Sequence, residues 1–197
     1  MAETTKYPIG IAILGMNGAG KSTLAHALAK VTGYTEMDVE DFYFPEQRAS
    51  RLHALEHDTV AVTEHLGDLP FSVPRSKAEV EELLLDAIPE NGGFILAGVT
   101  LNFREELLSR LTLAVELETP LKTRIQRIED REIRRFGDRV LPGGDMYEQQ
   151  SDFRRMVETR DPSAASQSAE KLPCPVIKLN GTAPVEENIA AILAHLK

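Results

Sequence analysis

Glycines, a lysine and a serine near the start of the chain have the spacing of a loop that binds phosphate. Gly15, Gly20, Lys21 and Ser22 satisfy the pattern G-x-x-x-x-G-K-[ST] after the apolar run Tyr7–Leu14. Such glycines let backbone N–H groups approach a polyphosphate, and the positive end of a following helix adds to their field. The lysine brings a charge to the β- and γ-phosphates, and the serine hydroxyl can hold Mg²⁺. The sequence therefore predicts a site for a nucleoside triphosphate and Mg²⁺.

The residues after this loop have the pattern of a helix that faces a core on one side. Leu24, Ala25 and Leu28 recur at helical spacing, and Gly33 stands where a glycine commonly ends a helix. A phosphate-binding loop between a strand and a helix is the context that the motif requires. The loop residues that we expect to contact the nucleotide are Gly15, Asn17, Gly18, Ala19, Gly20, Lys21, Ser22 and Thr23.

Three carboxylates follow the second predicted strand, Tyr34–Met37, at its carboxyl end. They are Asp38, Glu40 and Asp41. Ligands of open α/β sheets bind at that edge, where a carboxylate could orient an acceptor hydroxyl, take its proton, or hold Mg²⁺ through water. We assign Asp38 to the metal or to the base, and Asp41 to the acceptor. Which of the two is the base stays open.

Arginines are concentrated in the segment between residues 124 and 139. Arg124, Arg127, Arg131 and Arg135 are spaced by three, four and four, along one side of a helix, and Arg134 and Arg139 extend the cluster. Guanidinium groups match phosphate geometry and stabilise the charge of a transferring phosphoryl group. We expect Arg131, Arg135 and Arg139 to have this catalytic role. The glycines of residues 142–145 and a predicted helix at 145–160 make residues 130–160 a candidate lid.

The overall composition limits the classes of partner and the redox chemistry. Among 197 residues, 22 are Lys or Arg and 31 are Asp or Glu, and a net charge of −9 argues against broad binding to nucleic acid. Cys174 is the single cysteine, so no internal disulfide can form. No run of about 20 apolar residues suggests a membrane span. We expect a soluble, cytoplasmic monomer or homodimer whose partner is a small-molecule phosphate acceptor.

Strand-like and helical patterns alternate along the chain. The strands are expected at Tyr7–Leu14, Tyr34–Met37, Phe94–Val99, Leu113–Leu117 and Val176–Leu179, with helices at 21–32, 77–88, 103–110, 119–135 and 185–196. This alternation predicts one domain, 1–197, with three α/β/α layers around a five-stranded parallel sheet. Residues 42–76 and 136–170 are too long for ordinary connectors, so both are candidate substrate-covering elements, and Ser163–Ala169 is expected to be a mobile surface loop.

Taken together, these features resemble the small P-loop kinases typified by adenylate, shikimate and uridine kinases. Residues 115–120 with Arg124 and Arg127 are similar to the fourth strand and arginine-bearing helix of these kinases, and residues 176–184 to their last strand and adenine-contacting loop. Residues 135–139 and 142–149 also resemble a stretch of unassigned bacterial P-loop ATP-binding proteins. The likeness implies a nucleotide kinase-like fold with two insertions, an acceptor-binding region at residues 42–90 and a lid at residues 130–160. It adds Arg127, Gly181 and Thr182 as nucleotide contacts, and Asp41 and Arg75 as acceptor contacts.

One position on the third strand departs from that pattern, and this departure leaves two functional hypotheses open. Adenylate-kinase-type enzymes often carry an Asp on the third strand to hold the water shell of the metal, whereas this chain has Ala97. The leading hypothesis is transfer of the γ-phosphate of Mg-ATP to a small molecule. The acceptor would be a hydroxyl compound, such as a nucleoside, sugar or shikimate-like compound, or a nucleoside monophosphate. The alternative is a nucleotide-binding regulator or slow NTPase without such an acceptor. The choice between ATP and GTP stays open.

Overall fold

Five parallel strands form the centre of the molecule, whose computed structural model describes residues 8–57, 59, 71 and 73–196. The strands are β1 (Ile9–Leu14), β2 (Thr35–Asp38), β3 (Gly93–Gly98), β4 (Leu113–Glu118) and β5 (Val176–Asn180). Their order across the sheet is β2-β3-β1-β4-β5, and all four neighbouring pairs are parallel. The predicted fold class is confirmed. Tyr7, the predicted start of β1, and residues 58, 60–70 and 72 of the expected acceptor region lie outside the described residues.

Helices occur on both faces of the sheet and beyond its carboxyl edge. They are α1 (Lys21–Thr32), α2 (Val39–Tyr43), α3 (Arg48–Glu56), α4 (Lys77–Ala87), α5 (Glu105–Leu108), α6 (Leu121–Phe136), α7 (Tyr147–Thr159), α8 (Ala164–Ala169) and α9 (Val185–His195), with 3₁₀ turns at Pro45–Gln47 and Gly137–Val140. Helix α6 contacts both α3 and α7. The three α/β/α layers therefore carry additional helices near the carboxyl ends of β1 and β2.

Two apolar cores hold the layers together because the central strands are covered on both faces. On one face, α1 and α9 pack Leu28 and Ile192 against Ile13. On the other face, α4 packs Leu84 against Leu14. Strand β3 is buried at every residue, as expected for a parallel strand between two helical layers.

The strand order creates a switch point at the carboxyl end of β1. The chain crosses from β1 to β2 on one side, and β4 lies on the other side of β1. Crevices at such switch points are where open α/β sheets bind ligands. The loop after β1 and the acidic residues after β2 therefore open onto the same edge of the sheet.

The segment at residues 163–169 was expected to be a mobile surface loop, and that expectation is wrong. It forms the short helix α8, in which Ala165 and Ala169 are buried. The buried Ser168 hydroxyl accepts a hydrogen bond from Leu101 N at 2.8 Å. Small side chains let α8 lie close to the sheet, and a run of serine and alanine without large apolar residues gave no periodic signal.

No described helix combines the length and the apolar composition that crossing a membrane would require.

Candidate active site

The loop after β1 has the backbone geometry of an anion cradle. Gly18 and Gly20 have φ values of 78° and 104°, which side chains other than glycine rarely adopt. A Cβ at Gly18 would also lie 2.4 Å from Arg124 O. Helix α1 starts from Gly20 without a side-chain cap. Its first N–H groups are therefore available to an anion, since the first turn of a helix has no intrahelical acceptors for them.

Lys21 is a cation that lacks a close protein counter-charge. Its Nζ donates to Met16 O at 3.3 Å, and among the described residues it makes no salt bridge. Burial lowers the pKa of Lys21 to about 8, although the charges of Asp38 and Glu40 oppose that shift, and Arg131 lowers the pKa further. Phosphate oxygens in the cradle would supply the missing negative charge.

Ser22 and Asp38 join the loop to the end of β2. The Ser22 hydroxyl donates to Asp38 Oδ2 at 2.5 Å, and Asp38 Oδ1 caps α2 by accepting from Glu40 N at 3.0 Å. Asp38 is paired in register with Ala97, so its carboxylate lies one strand away from the position where an acidic third-strand residue would stand. The described residues contain no cluster of three His, Cys, Asp or Glu side chains suited to a metal. Ser22 and Asp38 fit Mg²⁺ only together with phosphate oxygens and water, which is how this ion commonly binds.

Asp41 is hydrogen-bonded to a buried arginine and lines none of the three cavities around the loop. Arg51 donates to Asp41 Oδ1 at 2.8 Å and to Oδ2 at 2.5 Å, and the same guanidinium donates to Glu36 at 2.9 Å. Both Arg51 and Asp41 are buried. The hydrogen bond with Asp41 and the surrounding carboxylates outweigh burial and raise the pKa of Arg51. Glu40, between the two assigned aspartates, instead lines all three cavities around the loop.

The arginines of α6 divide into two pairs with different surroundings. Arg124 donates to Asn17 O, and Arg127 donates to Ala19 O and Gly181 O, so this pair ties the loop to the segment after β5. Arg131 and Arg135 lie farther along the helix and face the cavities. The predicted helix face is therefore formed, but its first two members bind the protein backbone.

Arg135 is buried and has no carboxylate within salt-bridge distance among the described residues. Its guanidinium donates to Ser50 Oγ and Gln47 Oε1, both at 3.1 Å. It also lies 5.3 Å from the ring of Phe71 and 4.9 Å from that of Phe136. Burial, followed by the charge of Arg131, lowers the pKa of Arg135 to about 10, so the group stays charged at neutral pH.

Several residues that were predicted to contact a ligand do not line the cavities around the loop. Arg139 forms an ion pair with Asp145 at 2.7 Å in the turn after α6, and Arg75 donates to Phe42 O and lies 3.4 Å from Glu79. Neither side chain lines the three described cavities. Thr182 is exposed and held by Asn180 Oδ1, whereas Gly181 lines the cavity beside the loop. Gly15 lies against β4, since a Cβ at this position would be 2.8 Å from Leu117 O.

Three adjoining cavities meet at Glu40 and Arg131. The first, about 340 Å³, extends from Lys21 to Gly181 and Asn188. The second, about 500 Å³, extends from Lys21 and Asp38 to Thr100 and Asn102 after β3. The third, about 450 Å³, lies between α6 and α7. These volumes are in the range of sites for small ligands.

Residues beyond the predicted nucleotide and acceptor contacts also line the second cavity. Arg160, at the end of α7, donates to Asn17 Oδ1 at 3.2 Å and lines this cavity. Thr100 and Asn102 follow β3 at the carboxyl edge of the sheet. Their position after a buried strand could have identified them, by the same rule that selected Asp38. Nothing in the spacing of Arg160 indicated its contact with Asn17.

The fold and the loop together define a P-loop nucleotide-binding protein with the architecture of small kinases. The sequence model of the family described as AAA domain (AAA_18) matches residues 11–141. That match covers well over half of the chain, and the chain belongs to this family. Membership of a P-loop family of this kind implies nucleotide binding, as the cradle geometry indicates.

Similar proteins extend this assignment without adding a substrate. The uncharacterized protein YqaC of Bacillus subtilis (strain 168) is 28% identical over 194 residues, covering 94% of this chain and 96% of that protein. A putative ribose/galactose/methyl galactoside import ATP-binding protein of Rhizobium johnstonii is 34% identical over 106 residues, which are 53% of this chain but 20% of that protein. The crystal structure of shikimate kinase from Aquifex aeolicus vf5 has a TM-score of 0.50 at 20% identity over 95% of this chain and 96% of its own. That likeness shows the fold alone.

Proposed function

We propose that this protein is an ATP-dependent phosphotransferase that moves the γ-phosphate of Mg-ATP to a small-molecule acceptor. The observation that carries the proposal is the convergence of Lys21, Asp38, Glu40 and Arg131 on one crevice that opens on two sides of the loop. One side suits a triphosphate, and the other leaves room for a second ligand. A protein that only binds a nucleotide has no need of the second side.

The nucleotide end of the proposed site consists of the cradle and the segment after β5. Lys21 and the N-terminus of α1 would bind the β- and γ-phosphates. The Arg127 bridge between Ala19 O and Gly181 O holds the 181 segment beside the loop, where the base would lie. Thr23 and Asn188 also line this first cavity.

Ser22 and Asp38 would hold the metal, Ser22 directly and Asp38 through water. The chemistry that Mg²⁺ supplies when bound is neutralisation of charge on the β- and γ-phosphate oxygens. The hydrogen bond between the two side chains keeps both oriented towards the crevice. This arrangement supports the idea that Asp38 replaces the third-strand carboxylate that Ala97 lacks.

Glu40 would receive the proton of the acceptor hydroxyl, a role first assigned to Asp38 or Asp41. The acceptor oxygen forms a bond to the γ-phosphorus, the bond from that phosphorus to the β–γ bridging oxygen breaks, and ADP leaves. Glu40 suits the role because it is half-buried and lines the cavities on both sides of Lys21. Arg131 and Arg135 would stabilise the charge of the transferring group.

The alternative function, a regulator or slow NTPase, predicts a different response to added acceptors. We would measure ADP release from Mg-ATP with nucleosides, nucleoside monophosphates, shikimate and sugars, using Lys21→Ala as the blank. A many-fold rise with one acceptor, absent in Lys21→Ala, supports the phosphotransferase. Tight ATP binding with the same low rate for every compound favours the regulator.

A further inference from the structure

The third cavity, between α6 and α7, has an aromatic lining that the nucleotide does not require. Four phenylalanines line it, together with Met156 near its rim: Phe44, Phe71, Phe136 and Phe153. Phe71 lies edge-on to Phe44 with ring centroids 5.3 Å apart, and edge-on to Phe136 at 6.4 Å. Flat rings in this arrangement form walls against which another planar ring can stack.

The backbone at Phe71 has an uncommon conformation. Phe71 has a φ of 63°, the only positive φ at a non-glycine residue within the part of the chain that the structure describes. Bulky residues rarely adopt this conformation, and such strain is commonly kept at ligand sites. The ring also stacks on the buried Arg135 guanidinium. Phe71 therefore connects the aromatic wall to the proposed phosphoryl site.

One residue of the cavity lining, Glu132, has a buried oxygen without a partner. Glu132 is 1% exposed, and its Oε2 accepts from Arg154. Its Oε1 is buried and has no hydrogen-bond partner among the described residues. A buried acceptor without a donor is costly. An N–H group of a ligand that reaches this oxygen would satisfy it.

The cavity adjoins the proposed transfer site. Glu40, Phe44 and Arg131 line both this cavity and the second one beside Lys21. A compound that stacks here can therefore extend its reactive group past Glu40 towards the γ-phosphate. The segment after β5, where the base of ATP would lie, borders the first cavity and not this one.

We infer that the cavity between α6 and α7 binds the nucleobase of the phosphate acceptor, which is a nucleoside or a nucleoside monophosphate. A nucleobase combines a flat aromatic ring with N–H donors, which matches the phenylalanine walls and the free oxygen of Glu132. Sugars and shikimate-like compounds have no such ring. The inference rests on the proposed phosphotransferase function only for calling this ligand the acceptor.

The test uses the full chain saturated with Mg²⁺ and a non-hydrolysable ATP analogue, so that the first cavity is filled. Adenosine, guanosine, cytidine, uridine and their 5′-monophosphates are titrated by calorimetry, with ribose and ribose 5-phosphate as controls without a base. At least one base-containing compound should bind with a Kd below about 1 mM, and its control should not. The nucleoside and monophosphate arms show which end group the site prefers.

Phe153→Ala tests the cavity itself, and Glu158→Ala, at an exposed position on the same helix, is the matched control. Removing a stacking ring should weaken binding of the base-containing compound about 5–100-fold, with unchanged affinity for the ATP analogue and little change in Tm. Equal binding of ribose or ribose 5-phosphate, no binding by any of the eight compounds, or no effect of Phe153→Ala would overturn the inference. Binding sensitive to Phe153→Ala without phosphate transfer from Mg-ATP would instead refute only the proposed function.

Discussion

The positive charges at the loop favour the ligand-bound protein over the free protein. Lys21 has its pKa lowered by burial, and the buried Arg135 is compensated by neutral oxygens and aromatic rings. Such groups reduce the stability of the free protein, since the fold disfavours their charged forms. The same deficit of negative charge strengthens binding of a polyphosphate. These residues therefore strengthen the binding of a polyphosphate and lower the stability of the free protein.

Lys21→Met should stabilise the free protein while abolishing nucleotide binding. Because the pKa of Lys21 is lowered from its ordinary 10.5 to about 8, the charged side chain opposes folding, and its removal is worth about 1–3 kcal/mol near neutral pH. That gain corresponds to a rise in Tm of about 2–10 °C. The gain is fully present below pH 8 and shrinks as the pH rises towards 10.5. A variant that melts below the wild type at pH 7 would contradict this explanation.

Nucleotide binding should take up a proton in alkaline solution. Phosphate oxygens beside Lys21 raise its pKa above the value of about 8 in the free protein, so affinity is independent of this group below pH 8 and falls as the pH rises above it. Calorimetry of ADP binding at about pH 9, in buffers of different ionisation enthalpy, measures the uptake. Lys21→Arg, whose side chain does not titrate, is the control. Equal uptake in both proteins would show that another group is responsible.

Asp38→Asn should weaken the response to metal while leaving α2 in place. An asparagine can still accept from Glu40 N as a helix cap, but it lacks the charge that holds a hydrated Mg²⁺. We expect activity, or the apparent metal affinity, to fall about 10–100-fold. The measurement is the Mg²⁺ concentration that gives half-maximal ADP formation. An unchanged Mg²⁺ requirement would remove Asp38 from the metal site.

Among individual residues, the sequence predicted the loop but did not predict which acidic residue pairs with Arg51. The motif required a lysine and a hydroxyl at fixed positions, and the hydroxyl of Ser22 donates to Asp38. Spacing could not distinguish Glu40 from Asp41. That distinction depends on Arg51, which comes from α3 and reaches Asp41 through tertiary packing.

Helix α3 is attached to β2 mainly through one buried guanidinium. Arg51 lies 2.9 Å from Glu36 and 3.9 Å from Asp38, and it forms two hydrogen bonds with Asp41. Arg51→Met would remove the two hydrogen bonds that the buried Asp41 accepts from Arg51, and the guanidinium beside Glu36 and Asp38, at a cost of about 3–5 kcal/mol in the free energy of unfolding. Urea denaturation measures the loss. Arg48→Met on the same helix, where the side chain is 65% exposed, is the control and should change stability little.

A wild-type-like midpoint for Arg51→Met would mean that the cluster does not hold α3 to the sheet. Its enclosure by carboxylates gives Arg51 a positioning role.

Elements with a strong periodic pattern were predictable, and elements that depend on packing were not. The strands and the helices α1, α4, α6, α7 and α9 begin and end close to their predicted residues, because apolar periodicity and glycine caps determine them locally. Helix α8 was missed because its small residues fold only against the sheet. The spacing of the arginines predicted the cation cluster on α6. The hydrogen bonds of Arg124 and Arg127 with backbone carbonyls were not predictable, because they depend on the positions of the loop and of Gly181.

The whole molecule combines a central sheet with a candidate site formed by segments that follow the strands. The sheet and its two cores hold the loop, and residues from α2, α6 and α7 close the crevice around it. Alternating strands and helices predicted that architecture. The route of the long connections around the crevice was not predictable, since it depends on contacts such as that between Arg160 and Asn17.

The proposed function requires that the γ-phosphate is transferred to an acceptor and not released to water. The direct measurement is ³¹P NMR of the protein with Mg-ATP and each candidate acceptor, which separates a phosphorylated acceptor, either a phosphoester or a phosphoanhydride, from inorganic phosphate. We predict that one acceptor is phosphorylated in equal amount to the ADP formed, and that Lys21→Ala yields neither product. Formation of inorganic phosphate alone, at a rate that no acceptor changes, would contradict the proposed phosphotransferase.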